Sequence, residues 1–80
     1  MRMTTGVLFA DGFEDALLGI GWQCTTPLAV YDWDRCVRIL MERDGMTESE
    51  AAEYMDVNVT GAYMGAQTPI FVERGAPDGD

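Results

Sequence analysis

The 80-residue chain has no histidine, no lysine, a single serine and only two cysteines. Without histidine, Ser-His and Cys-His nucleophilic catalysis and histidine-ligated metal sites are excluded. Ser49 falls in the first turn of a predicted helix with no base to activate it. Cys24 and Cys36 allow at most one bridge and lack the second pair that a zinc site needs. With no export signal they are expected as cytosolic thiols, Cys36 on an apolar helix stripe and therefore in the core. Long apolar runs are missing too. "GVLFA" and "ALLGIGW" are far shorter than the roughly 18 residues of a membrane span. Asp11, Glu14 and Asp15 interrupt the apolar region behind Arg2 too early for a signal peptide. The expected location is cytoplasmic.

Acid is abundant. The net charge is −9, and all five cations are arginines. Such a surface repels phosphate backbones and anionic lipid, so direct nucleic-acid or membrane binding is disfavoured and basic protein partners are favoured. The apolar fraction, 48%, is that of a folded domain. The length predicts one domain, residues 1–80, with 75–80 as a frayed tail. A chain this short buries only about 60% of its unfolded surface, so its core is small.

The N-terminal part reads as β. "TGVLFADG" is an apolar run closed by the turn dipeptide Asp11-Gly12. Residues 16–24 form a second run, in which Gly19 and Gly21 predict a bulge or a close backbone approach. "TTP" closes that run, and "LAVY" is a third short strand or the approach to a helix. Asp32 is placed to cap the first helix, whose stripe is Trp33, Cys36, Val37, Leu40 and Met41, with Gly45 as its left-handed terminator. Thr47 and Glu50 make a capping box for the second helix, with inward residues Ala51, Met55, Asn58, Val59 and Ala62. "TPIFVER" reads as a last strand. The sum is an α+β fold: a small antiparallel sheet from the N-terminal strands and the C-terminal strand, packed against a two-helix hairpin.

Several motifs fail on context. "GIGWQC" starts like a dinucleotide fingerprint, but Cys24 stands where the third glycine belongs and no helix follows. "GAYMG" lacks the apolar 20-mer of a membrane dimer motif. The Asp11, Glu14, Asp15 cluster has no calcium-loop spacing and reads as a solvated turn. No metal or other cofactor is expected, and neither is an enzyme. What remains is the acidic block. From Glu42 to Asp56 there are six carboxylates, Glu42, Asp44, Glu48, Glu50, Glu53 and Asp56, against one arginine, Arg43. Acids three residues apart on a helix lie about 5–6 Å apart at Cβ, a row able to engage cations that hold a nucleic-acid backbone. The plainer reading is that helix starts favour acids and exposed faces are charged.

The strings "DGFEDALLGIG" and "YDWDRCVRILMERDGMTESEAAEYMDVNVTGAYMGAQTPIFVE" cover most of the chain. They resemble a family of small acidic phage and prophage proteins. The matching positions are Asp11 to Ala16, Gly19 to Gly21, Ala29 to Asp32, Arg35-Cys36, Leu40 to Met46, Glu50 to Tyr54, Asn58-Val59, Gly61 to Tyr63 and Thr68 to Val72. Val57 departs from the pattern, which has an aromatic there, with a consequence expected only for local packing. The resemblance transfers no catalytic residue. It implies an accessory protein of a bacterial virus that works by stoichiometric binding in the host cytoplasm. By analogy of size and charge this is an anti-CRISPR-like or DNA-mimic-like inhibitor of a nuclease, CRISPR or restriction complex. Its binding residues would be Glu42, Asp44, Glu48, Glu50, Glu53 and Asp56, with Tyr54 as aromatic anchor. The alternative is a structural or regulatory module acting through a homodimer or an apolar patch around Trp22, Trp33, Tyr63 and Ile70 to Val72.

Overall fold

The computed structural model describes residues 2–4, 6–59 and 65–73. Ala62, Tyr63, most of the "GAYMG" motif and the 75–80 tail lie outside them. The elements run β1 (Arg2–Thr4), β2 (Val7–Phe9), a 3₁₀ turn (Glu14–Ala16), β3 (Leu17–Gln23), β4 (Thr26–Asp32), α1 (Trp33–Asp44), α2 (Glu48–Tyr54), a π turn (Met55–Val59) and β5 (Ile70–Val72). The architecture is α+β, with a three-stranded sheet and two helices.

The sheet is mixed. Its order is β3-β4-β5, with β3 antiparallel and β5 parallel to the central strand β4. The expected purely antiparallel pairing therefore fails at β5. The connection from β4 to β5 spans two helices, and a long connection of that kind is what parallel neighbours need. The N-terminal strands also divide. β1 and β2 form their own antiparallel pair, and β2 packs on β4.

Local chemistry accounts for the element ends. The Asp32 carboxylate accepts from the Arg35 backbone N–H at 3.3 Å and starts α1. Gly45 ends it at φ +70°, a conformation costly for any residue with a Cβ. In the capping box Glu50 N–H donates to Thr47 Oγ1 at 3.2 Å, and Thr47 N–H donates to Glu50 Oε1 at 2.9 Å. The pairing register of β3 shifts between Leu17 and Gly19, and at Gly21 a Cβ would meet Val30 Cγ2 at 2.9 Å, a close approach. The hairpin turn is Cys24-Thr25, so Pro27 lies inside β4 rather than closing the strand before it. Counting outward from that two-residue turn, Trp22↔Pro27 is a non-hydrogen-bonded pair, so the ladder to β3 loses nothing to the missing proline N–H.

The core joins both layers. Tyr31, Leu40, Met55 and Cys36 are its largest fully buried side chains. From α1 it takes Cys36, Val37 and Leu40, while Met41, expected on the same stripe, is exposed. From the second helix it takes Ala51, Met55 and Val59. Asn58, also expected inward, is exposed. The π turn over 55–59 bonds i→i+5 and so has more residues per turn than an α-helix, which keeps Met55 and Val59 on one face and rotates Asn58 off it.

Tyr31 links the sheet to the N-terminal pair. Its ring stacks on Phe71 at 5.4 Å between centroids, and its hydroxyl oxygen accepts from the Ala10 backbone N–H at 2.8 Å. A Tyr31→Phe variant leaves that buried N–H unsatisfied and is expected to lose about 1–3 kcal/mol in a urea unfolding titration. A loss near zero would mean that water reaches Ala10.

Both cysteines are free, Cys24 exposed and Cys36 buried. Burial raises the Cys36 thiol pKa from 9.0 to about 12. Burial also raises Tyr31, against the opposing effect of the Ala10 hydrogen bond. Both groups are neutral when protonated, so their contribution is complete below the unfolded-state pKa. It falls as the unfolded chain releases protons first. Stability is therefore expected to decline above about pH 9, by up to about 1.4 kcal/mol per pH unit from Cys36. Unfolding titrations from neutral to alkaline pH check this, and a flat profile would contradict it. A thiol reagent should label Cys24 fast and Cys36 only through unfolding.

Candidate functional site

The acidic block is built by the end of α1, the capping box and the outward side of α2. All seven predicted binding residues are exposed, but the fold distributes them over different surfaces. Glu42 faces a cleft with Gly12, Glu14, Asp15 and Arg43. Glu48 turns toward α1, in a cleft shared with Asp34, Arg38 and Met41. Asp56 projects from the π turn and lines neither of these clefts. Glu50, Glu53 and Tyr54 come together around one open cleft of about 440 Å³, completed by Met46, Val57 and Asn58.

Helical spacing produces that grouping. Glu50, Glu53 and Tyr54 fall at i, i+3 and i+4 on the outward side of α2, away from buried Ala51, and the π turn that follows brings Val57 beside them. The result is a carboxylate pair beside an apolar strip, in which Tyr54 is 38% and Val57 66% exposed. Met46 and Val57 were not among the residues expected to bind. Val57 lies in the π turn, where the α period does not carry over, so helical spacing gave no signal for it.

Arg43 decides how much of the block stays negative. Its guanidinium donates from Nε and Nη2 to the two Asp44 carboxylate oxygens, both at 3.1 Å. A third donor, Nη1, reaches the Gly12 carbonyl at 3.0 Å, and the group lies 5.6 Å from the Phe13 ring centroid. Gly12, at φ +91°, permits this approach; a Cβ there would meet Nη1 at 2.8 Å. The hydrogen bond to Arg43 holds the Asp44 carboxyl below its usual range and raises Arg43 in turn. The one cation of the block is thus tied to Asp44 and to the N-terminal turn. Among the described residues no cation pairs with Glu53 or Asp56.

Glu14 Oε2 accepts from the Gly12 N–H at 3.3 Å, an ordinary turn contact. Gly19 and Gly21 lie within β3, and the strand β4 follows them, so no helix N-terminus receives a phosphate there. No helix among the described residues is long and apolar enough to cross a membrane. Comparison with protein-family models, with curated proteins and with solved structures found no match.

Proposed function

We propose that this chain is a non-enzymatic binding protein whose α2 face docks on a basic protein surface, as a stoichiometric inhibitor of a bacterial defence or nucleic-acid-handling complex. The observation that carries this reading is the α2 cleft, where exposed Glu50 and Glu53 flank an apolar strip of Met46, Tyr54 and Val57. Carboxylates that engage lysine or arginine give orientation and on-rate, and a partly exposed tyrosine beside them supplies contact area. Arg43 strengthens the reading, because it is held by Asp44 and Gly12, and among the described residues no cation pairs with Glu50 or Glu53. The host setting and the inhibitory role rest on the resemblance to phage and prophage proteins and on the charge, −9.

The test is affinity capture from nuclease-treated bacterial lysate at low and high salt, with bound proteins identified by mass spectrometry. The proposal expects a basic nuclease, CRISPR or restriction component that is released at high salt. Capture of no basic protein at low salt would overturn it.

A further inference from the structure

Charge is segregated along this chain. All 14 acids and 5 arginines fall outside residues 16–31 and 57–72. Those two stretches supply β3, β5 and every residue of β4 except Asp32. Asp32 aside, the sheet is therefore uncharged on a protein of net charge −9.

Within that sheet, β3 is an edge strand with β4 as its one neighbour among the described residues. Its side chains are unusually apolar for an exposed edge. Leu18 is 48%, Ile20 44% and Trp22 69% exposed. Natural edges are protected by lysine, proline, inward charge or bulges. The sequence "LLGIGWQ" has no charge and no proline, and its register shift lies at one end, between Leu17 and Gly19. The hairpin register also fixes where the backbone points. Gln23↔Thr26 closes the two-residue turn as a hydrogen-bonded pair, so Gly21↔Leu28 is bonded, while Trp22↔Pro27 and Ile20↔Ala29 are not. The N–H and C=O groups of Ile20 and Trp22 therefore point away from β4, along the open edge.

We propose that β3 is a homodimer interface, pairing antiparallel with β3 of a second copy across a twofold axis. The occupant follows from charge and symmetry. A charged partner finds no complement on this edge, whereas a second copy meets it neutral to neutral, with no carboxylate in either paired strand. Twofold pairing is self-complementary, so the outward donors and acceptors of Ile20 and Trp22 on each copy face their equivalents on the other. The product is one continuous six-stranded sheet, a size close to the common mean of about 5–6 strands. A standard interface takes about 800 Å² from each partner. That is a minor share of the 4949 Å² of surface. This proposal does not depend on the α2 face.

Sedimentation velocity over a concentration series tests it. The mass should rise from that of the 8.8 kDa chain toward twice that value, at least as readily at high salt, which screens the repulsion between two chains of net charge −9, as at low salt. In the same series, amide hydrogen exchange at Ile20 and Trp22 should slow as concentration rises. Ile20→Lys with Trp22→Lys places like charges across the pairing and should raise the dimer Kd at least about 100-fold. Both side chains are exposed, so circular dichroism should be unchanged; Trp22→Ala is the milder variant, expected to raise Kd about tenfold. A monomer at all concentrations would overturn the proposal. So would a dimer that leaves the Ile20 and Trp22 amides unprotected, or one that both variants leave intact.

Discussion

Combining Glu53→Lys, Asp56→Lys and Glu50→Gln is expected to weaken partner binding by at least about 100-fold without unfolding the chain. The size follows from the chemistry. A carboxylate that meets a cation at an interface is worth about 2 kcal/mol or more when truncated, and reversing its sign adds repulsion. The choice at position 50 follows from the structure. Glu50 is one of the acids of the cleft, but its Oε1 also accepts from the Thr47 N–H in the capping box. Lysine there would disturb both functions, costing about 1 kcal/mol of helix stability besides the charge. Glutamine keeps an acceptor for Thr47 and removes only the charge. Glu53 and Asp56 are exposed and have no cation partner among the described residues, so lysine there should leave folding intact. Calorimetric titration of the captured partner measures the effect, and circular dichroism checks the fold. Unchanged affinity would return these acids to the role of a solvated helix face.

Leu40→Ala is expected to remove about 2–5 kcal/mol of stability. Leu40 is 0% exposed and lies in the cluster with Tyr31, Cys36, Ala51 and Met55. Truncation loses the transfer energy of the side chain and leaves a cavity that the surrounding elements fill only in part. For a chain of 80 residues, with total stability on the order of 0.05–0.15 kcal/mol per residue, that is a large share of the whole. The neighbouring Met41 is the control. The sequence stripe places it beside Leu40, yet it is 36% exposed, and Met41→Ala should cost under about 1 kcal/mol. Urea unfolding of the two variants measures the helix phase directly. Equal losses would contradict the packing described for α1.

Features written in one turn of chain were legible in the sequence. The Asp32 cap, the Gly45 terminator, the Thr47–Glu50 box and the β3 register shift depend on residues no more than four apart, where side-chain type and spacing determine the outcome. Features that depend on distant partners were not. The Tyr31–Ala10 hydrogen bond spans 21 positions and the Arg43–Gly12 bond 31. Nothing local in "TPIFVER" indicates that β5 runs parallel to β4. Asn58 failed for a different reason: the α period was extended across residues that form a π turn. The candidate site shows the same division. Composition picked out an acidic block, but only the fold separates Glu50, Glu53 and Tyr54, which share a cleft, from Glu42, Asp44, Glu48 and Asp56, which do not line it. The apolar strip of Met46 and Val57 emerged only once the helix ends were placed.

The measurement that tests the central claim most directly is the affinity of the purified complex between this chain and its captured partner, followed across a salt series. Docking through exposed carboxylates predicts that affinity falls steeply with salt for the wild-type chain, and with a shallower slope for the Glu50→Gln, Glu53→Lys, Asp56→Lys variant. An affinity independent of salt, or a slope that the variant leaves unchanged, would contradict an acidic binding face.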